Sequence, residues 1–222
     1  MPQVTLSVLI EGLRAGALIS FPTDTVPALA ALPDQCDRIY AAKQRPLDKP
    51  LILMGATFKT LLPYVSGSPE ECLIWQRVAD RYWPGPLTLV LPASDQMPPA
   101  MNPTRSGTLG IRVPDHPLAR YLLARTGPLA TTSANRSGSA PITRMAAIEA
   151  QFPEILMLSK EAQSSLATNL GMVANGDGDG AASGQPSTVV QWSHGEWVTL
   201  RSGVVSLPPD AGQEDATEAS HS

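Results

Sequence analysis

Lys43, Arg45 and Lys49 fall within seven residues of one another in KQRPLDKP, a stretch that Pro46 and Pro50 keep out of any regular element. Three cations so close repel one another unless an anion neutralises them, and a nucleotide polyphosphate would do so. A solvated basic turn accounts for the same spacing. Arg112 is of another kind. It stands in the apolar run TLGIRV, where a bare guanidinium is costly and a bidentate carboxylate is its natural partner. That carboxylate belongs either to a ligand or to an acid of the chain such as Asp115. Thr108 lies four residues before Arg112, so in a strand the two share a face. Thr131-Thr132-Ser133-Ala134-Asn135 ends another apolar run with hydrogen-bonding side chains, which either bind a ligand or cap a turn. Phe21-Pro22-Thr23-Asp24-Thr25 closes a third.

These side chains need strands to carry them. Short apolar runs at 17–21, 51–54, 87–91, 108–113, 129–131, 155–158, 187–192 and 197–200 predict strands. Helical spacing predicts helices over 5–14, 34–43, 69–82, 115–125 and 143–151. Asp34, Asp115 and Thr143 open three of them, and Ser68-Pro69-Glu70-Glu71 forms a capping box for another. The elements alternate irregularly, which predicts a mixed, twisted sheet with helices packed on it in one α/β domain. Ligands of open α/β sheets bind outside strand ends, where the polar segments fall. Residues 160–186 lose periodicity and read as a mobile loop, and 207–222 read as a disordered acidic tail. The folded domain is expected to occupy 1–206.

Composition narrows the function classes. The 222 residues carry a formal net charge of -4. Seven acids against one base, Arg201, lie from Asp177 onward, which leaves 13 acids and 15 bases before it. A nearly neutral core is not built for strong nonspecific nucleic-acid binding. The two cysteines, Cys36 and Cys72, define no zinc motif and no disulfide framework, and both are expected buried on helix faces. His116, His194 and His221 show no metal spacing and read as surface residues. No run of about 18 apolar residues or secretory leader is seen, so a cytoplasmic protein without membrane association is expected. There is no P-loop and no nucleophile elbow.

The chain resembles the YrdC family. The resemblance rests on FPTDTV at 21–26, KQRPLDKPL at 43–51, WPGPLTLVL at 83–91, GTLGIRVPDHPLA at 107–119, TTSANRSG at 131–138, PSTVV at 186–190 and LRSG at 200–203. It implies a twisted mixed sheet with flanking helices around one deep basic cavity. It also implies a nucleotidyltransferase that makes threonylcarbamoyl-AMP, pyrophosphate and water from L-threonine, bicarbonate and ATP. The product would serve the N6-threonylcarbamoyl modification of adenosine 37 in tRNA.

Carried over by position, the resemblance makes Lys43 and Arg45 catalytic and gives ATP to Arg45, Lys49, Thr108, Ser133, Asn135, Pro141 and Arg201. Threonine would meet Thr25, Arg112, Thr131 and Ser187. Mg2+ would come with ATP, with no protein-bound metal, and transferase proteins would take the adenylate. Pro27, Ala28 and Met54 depart from the family pattern. An alternative within the same resemblance is a double-stranded RNA-binding, ribosome-maturation module that uses the cavity without catalysis, or weak RNA binding beside catalysis. A related carbamate-adenylating role is a third.

Overall fold

The structure is a computed structural model, described here for residues 3–135, 142, 145–171 and 183–213. Its strands are, in chain order, β1 (Gln3–Val4), β2 (Ile19–Phe21), β3 (Ala28–Ala31), β4 (Ile52–Met54), β5 (Leu87–Pro92), β6 (Thr108–Arg112), β7 (Leu129–Ser133), β8 (Leu156–Leu158), β9 (Thr188–Ser193) and β10 (Glu196–Arg201). Its α-helices are α1 (Leu6–Arg14), α2 (Asp37–Lys43), α3 (Phe58–Leu61), α4 (Pro69–Tyr82), α5 (Pro117–Thr126), α6 (Met145–Gln151) and α7 (Lys160–Asn169). All strands join one sheet in the order β1-β8-β2-β3-β7-β4-β6-β5-β9-β10. β4 runs parallel to β6, β5 to β9, and β8 to both β1 and β2. The remaining pairs are antiparallel.

Side chains alternate across a strand, and the two faces of this sheet are treated differently. On one face Leu87, Leu89 and Leu91 of β5, Leu109 and Ile111 of β6, Leu53 of β4 and Val190 and Trp192 of β9 enter one large core. Ile39 of α2, Trp75, Val78 and Ala79 of α4 and Ile148 of α6 cover them. Among the described residues the opposite face is covered only in part. Leu9 and Leu13 of α1, Leu118 and Leu122 of α5 and Leu166 of α7 pack over Ile19, Phe21 and Ala30. Beyond that cover, the face of β4, β6, β5 and β9 opens into a cavity.

The capping box at α4 forms as expected. Ser68 Oγ accepts the Glu71 amide at 3.2 Å, and Glu71 Oε2 accepts the Ser68 amide at 2.9 Å. The other carboxylate oxygen accepts Trp192 Nε1 at 2.8 Å, so one side chain ties the helix start to β9.

Several elements differ from expectation. β3 lies in a segment to which no element was assigned, because a run of alanines carries neither alternation nor strong strand preference. α7 occupies the first part of the expected loop, anchored by a Ser159 cap and by Leu166, its one buried side chain. Residues 207–213 are not a free tail: Leu207 and Ala211 are buried, and the Ala211 carbonyl accepts Trp197 Nε1. α2 starts after a 3-10 turn at 33–35, so Asp34 is not its cap. α5 is capped in position by His116 rather than Asp115. Cys36 is buried as expected, but Cys72 is half-exposed. The expected helix start at Thr143 lies outside the described residues.

Candidate functional site

The open face forms a cavity of about 640 Å³. Its floor is every second residue of the strands below it: Ile52 and Met54, Thr88 and Val90, Thr108, Gly110 and Arg112, Thr131 and Ser133, Val189 and Gln191. Alternation thus sends Leu53, Leu87, Leu89, Leu91, Leu109 and Ile111 into the core and their neighbours, polar and apolar, into the cavity.

Arg112 ends β6 opposite Met54 and is 3% exposed. The chain from 22 to 27 leaves β2 and folds back over the sheet face, which brings Asp24 and Thr25 to a strand three places away from β3. Arg112 Nη2 donates to Asp24 Oδ1 at 2.6 Å and Nη1 to Thr25 Oγ1 at 3.0 Å. Its Nε donates to the Gly85 carbonyl at 3.1 Å. The chain's own acid is therefore Asp24, not Asp115, which lies beyond the strand end. A guanidinium has five N–H groups. Three are spent on the protein, and the plane is fixed with donors to spare.

Hydroxyls are spread through the same region. Thr25 Oγ1 lies 3.1 Å from Thr23 Oγ1, and Thr131 Oγ1 donates to the Ile52 carbonyl at 2.9 Å. Ser187 Oγ lies 2.9 Å from Thr88 Oγ1. Arg201 donates through Nε and Nη2 to the Ser187 carbonyl, at 3.2 and 2.8 Å. Thr108 Oγ1 lies 3.3 Å from Ser106 Oγ, and Ser133 Oγ donates to Asn135 Oδ1.

Thr25, Arg45, Thr108, Arg112, Thr131, Ser133, Asn135, Ser187 and Arg201 all line the one cavity. The expected basic triplet does not stay together. Arg45 is in the wall, its Nε and Nη2 held by the Lys49 and Pro50 carbonyls at 2.9 and 3.0 Å. The Lys49 side chain is exposed and outside the lining. Lys43 lies behind the wall, 2% exposed, donating to Thr132 Oγ1 at 3.2 Å and to the Ser133 carbonyl. It sits one turn after Ile39 on the inward side of α2, and a left-handed Gln44 then turns the chain away. Burial, helped by the nearby Arg45, lowers its pKa to about 7. The mutual repulsion inferred from the sequence is relieved by separating the charges and making one of them easy to discharge. Pro141 lies outside the described residues.

Sequence reasoning missed Thr88 and named Asp24 and Asp48 only within their segments, without a role. Alternation within LTLVL points to Thr88. Nothing local marks Asp24 as the partner of Arg112. His116 is buried, not at the surface.

Among the described residues the lining carries three guanidinium groups against one carboxylate, Asp48. Such a cavity attracts an anion of more than one charge. It offers Arg112 and its hydroxyls at one place and Arg45, Ser133 and Asn135 at another. Its guanidinium groups and hydroxyls can position an anion and stabilise developing charge.

The Sua5/YciO/YrdC family model, described as telomere recombination, matches residues 11–203. A threonylcarbamoyl-AMP synthase of Photobacterium profundum is 31% identical over 163 residues, 72% of this chain and 87% of that one. One from Vibrio vulnificus is 39% identical over 137 residues, 60% of this chain and 73% of its own. The crystal structure of P. abyssi Sua5 complexed with L-threonine superposes with a TM-score of 0.72 at 31% identity, covering 89% of this chain. This chain spans about half of that protein, 54%.

Proposed function

From the premise that the chain belongs to the Sua5/YciO/YrdC family, we infer that it is a threonylcarbamoyl-AMP synthase. It joins L-threonine and bicarbonate with ATP and releases threonylcarbamoyl-AMP, pyrophosphate and water. The product supplies the N6-threonylcarbamoyl group of adenosine 37 in tRNA. Relatives of that name and the threonine-bound Sua5 structure support this reading.

The observation that carries it is the pre-fixed Arg112 guanidinium, bonded to Asp24 and Thr25, in the same cavity as Arg45, Thr131, Ser133 and Asn135. In our reading Arg112 takes the carboxylate of threonine, with Thr25, Thr131 and Ser187 about the rest of that substrate. ATP lies along Thr108, Ser133, Asn135 and Arg201, with Pro141 contributing its backbone. Threonine and bicarbonate first condense to a carbamate with loss of water. The carbamate oxygen then attacks the α-phosphorus, and the bond to pyrophosphate breaks. Arg45 offsets the charge that builds on the departing group. Lys49 extends the same positive rim. Lys43 acts from behind by fixing the carbonyl of Ser133, and its proton is available when polyphosphate approaches.

Mg2+ enters with ATP. Among the described residues no group of three or more His, Cys, Asp or Glu could hold a metal. Asp48 is the one carboxylate of the lining among the described residues. That set fits Mg2+, which keeps its waters and is held by one or two carboxylates together with substrate phosphates. When bound, it supplies charge neutralisation on the triphosphate. No helix among the described residues is long and apolar enough to cross a membrane. We place the protein in the cytoplasm, where a transferase takes the adenylate.

Purified protein given ATP, Mg2+ and bicarbonate should release pyrophosphate only when L-threonine is present. Release that ignores threonine, or none at any pH tried, overturns the assignment.

A further inference from the structure

His116 lies outside the cavity wall, yet it is only 5% exposed, and neither ring nitrogen has a hydrogen-bond partner among the described residues. The residue stands at the start of α5, but its side chain makes no capping bond; only its carbonyl is used, accepting the Arg120 amide at 3.0 Å. Asp24 shows the complementary defect. Its Oδ1 holds Arg112, while its Oδ2 is buried with no partner among the described residues. One orphan is an acceptor only, and the other is a ring that always carries at least one N–H. Buried polar groups are almost always joined, so each is the natural complement of the other.

The surrounding charges agree. Two carboxylates act on the ring, Asp24 from the facing 22–27 segment and Asp115 beside it in the chain, while burial favours the neutral imidazole. Arg112 holds the same Asp24 from β6. A neutral imidazole can still donate one proton to a carboxylate.

We propose that His116 is a positioning residue: its ring N–H reaches Asp24 Oδ2 through one buried water, and so fixes the carboxylate that orients Arg112. The proposal rests on the reading of Arg112 as the clamp on the threonine carboxylate. The chain of contacts then runs from His116 to Asp24 to Arg112 to substrate. His116 touches no reacting atom. Its loss should let the Asp24 carboxylate turn and let the guanidinium plane drift. That weakens threonine binding and leaves the chemical step nearly as before.

Two variants separate positioning from bulk. His116→Leu keeps volume without a donor, and His116→Gln keeps an N–H donor. The expected result is a KM for threonine raised about tenfold in the Leu variant, with kcat nearly unchanged, and restored to within about threefold in the Gln variant. Equal loss in both variants, or a fall confined to kcat, overturns the proposal. A spectroscopic arm reads the pair without catalysis. The imidazole signals of His116, assigned by their disappearance in His116→Gln, are followed against pH in the wild type and in Asp24→Asn. The expected outcome is a downward shift of the His116 titration and a displaced N–H resonance in Asp24→Asn. Unchanged signals overturn the proposal. Should Asp24→Asn fail to fold, the Leu and Gln comparison decides. A wild-type protein with no threonine-dependent pyrophosphate release would end the functional reading, and the spectroscopic arm would then decide the His116–Asp24 link separately.

Discussion

Asp24 Oδ1, in the 22–27 segment, and Arg112 Nη2, at the end of β6, meet at 2.6 Å, with Arg112 3% and Asp24 12% exposed. The pair does two things at once. It satisfies a charge that the open sheet face would otherwise leave bare, and it holds the guanidinium plane before any substrate arrives. Removing one partner of a buried pair strands the other. Asp24→Asn should therefore lower the unfolding free energy by about 3–5 kcal/mol, read from urea denaturation at pH 7. A loss below about 1 kcal/mol would mean that the pair is solvated, like a surface bridge.

Arg45 is held at Nε and Nη2 by the two carbonyls that end its own loop. A lysine cannot make both contacts, and its single charge would swing free. Arg45→Lys should leave the fold intact by circular dichroism and reduce kcat by about 100-fold or more, as expected for a donor lost from a developing charge. A rise in KM for ATP with kcat unchanged would make Arg45 a ground-state contact only.

Lys43 gives a pH signature. Its pKa is lowered on folding, from 10.5 to about 7. Between those values the unfolded chain binds the proton that the folded chain has released, so stability rises with pH across that window. Below about pH 7 both states are protonated, and the folded state bears the full cost of a buried charge. The slope from this one group approaches about 1.4 kcal/mol per pH unit at most. Lys43→Met should flatten the difference curve between pH 7 and 10 in parallel urea titrations. Curves that stay parallel for the variant and the wild type would place the Lys43 proton elsewhere.

Much of the cavity was legible because a strand has period two. Thr108 and Arg112 could be assigned to one face from their spacing alone, and Leu109 and Ile111 to the other. The same logic, applied to helical phase, would have turned Lys43 inward with Ile39, but proximity to Arg45 and Lys49 in sequence drew it toward the loop. What alternation cannot supply is a long-range partner. Asp24 reaches Arg112 only because the 22–27 segment folds back over the sheet, and no local pattern encodes that return. α7 went unseen because it buries one leucine, too weak a stripe to stand out among polar residues. Leu207 and Ala211 were lost in an acidic, proline-rich composition that otherwise describes free chain.

Thr88 links two strands that both reach the cavity. Its hydroxyl meets Ser187 Oγ at 2.9 Å, and Arg201 grips the carbonyl of that same serine. Thr88→Val keeps the shape and deletes the hydroxyl. Ser187 should then lose its orientation, with KM for threonine rising about threefold to tenfold, the scale of one neutral hydrogen bond. Arg201→Ala should act in the same direction if its main task is to hold Ser187. A change in KM for ATP alone would instead make Arg201 a direct nucleotide contact. Measuring both constants in each variant separates the two.

Met54 bounds the space beside Arg112, paired with it across β4 and β6 and only 6% exposed. A thioether there offers the substrate side chain an apolar, yielding surface and no hydrogen bond beyond a weak sulfur acceptor. Discrimination against a slightly larger amino acid must then come from lack of room. Met54→Ala removes that barrier and leaves the carboxylate clamp in place. It should cost about 2–5 kcal/mol of stability, as truncation of a buried Met does. It should also raise the ratio of kcat/KM for isoleucine over threonine by about tenfold or more, the worth of a methylene or two in a fitted pocket. Pyrophosphate release with each amino acid in turn measures the ratio. An unchanged ratio would show that the substrate side chain points away from Met54, toward the hydroxyls of Thr88 and Ser187.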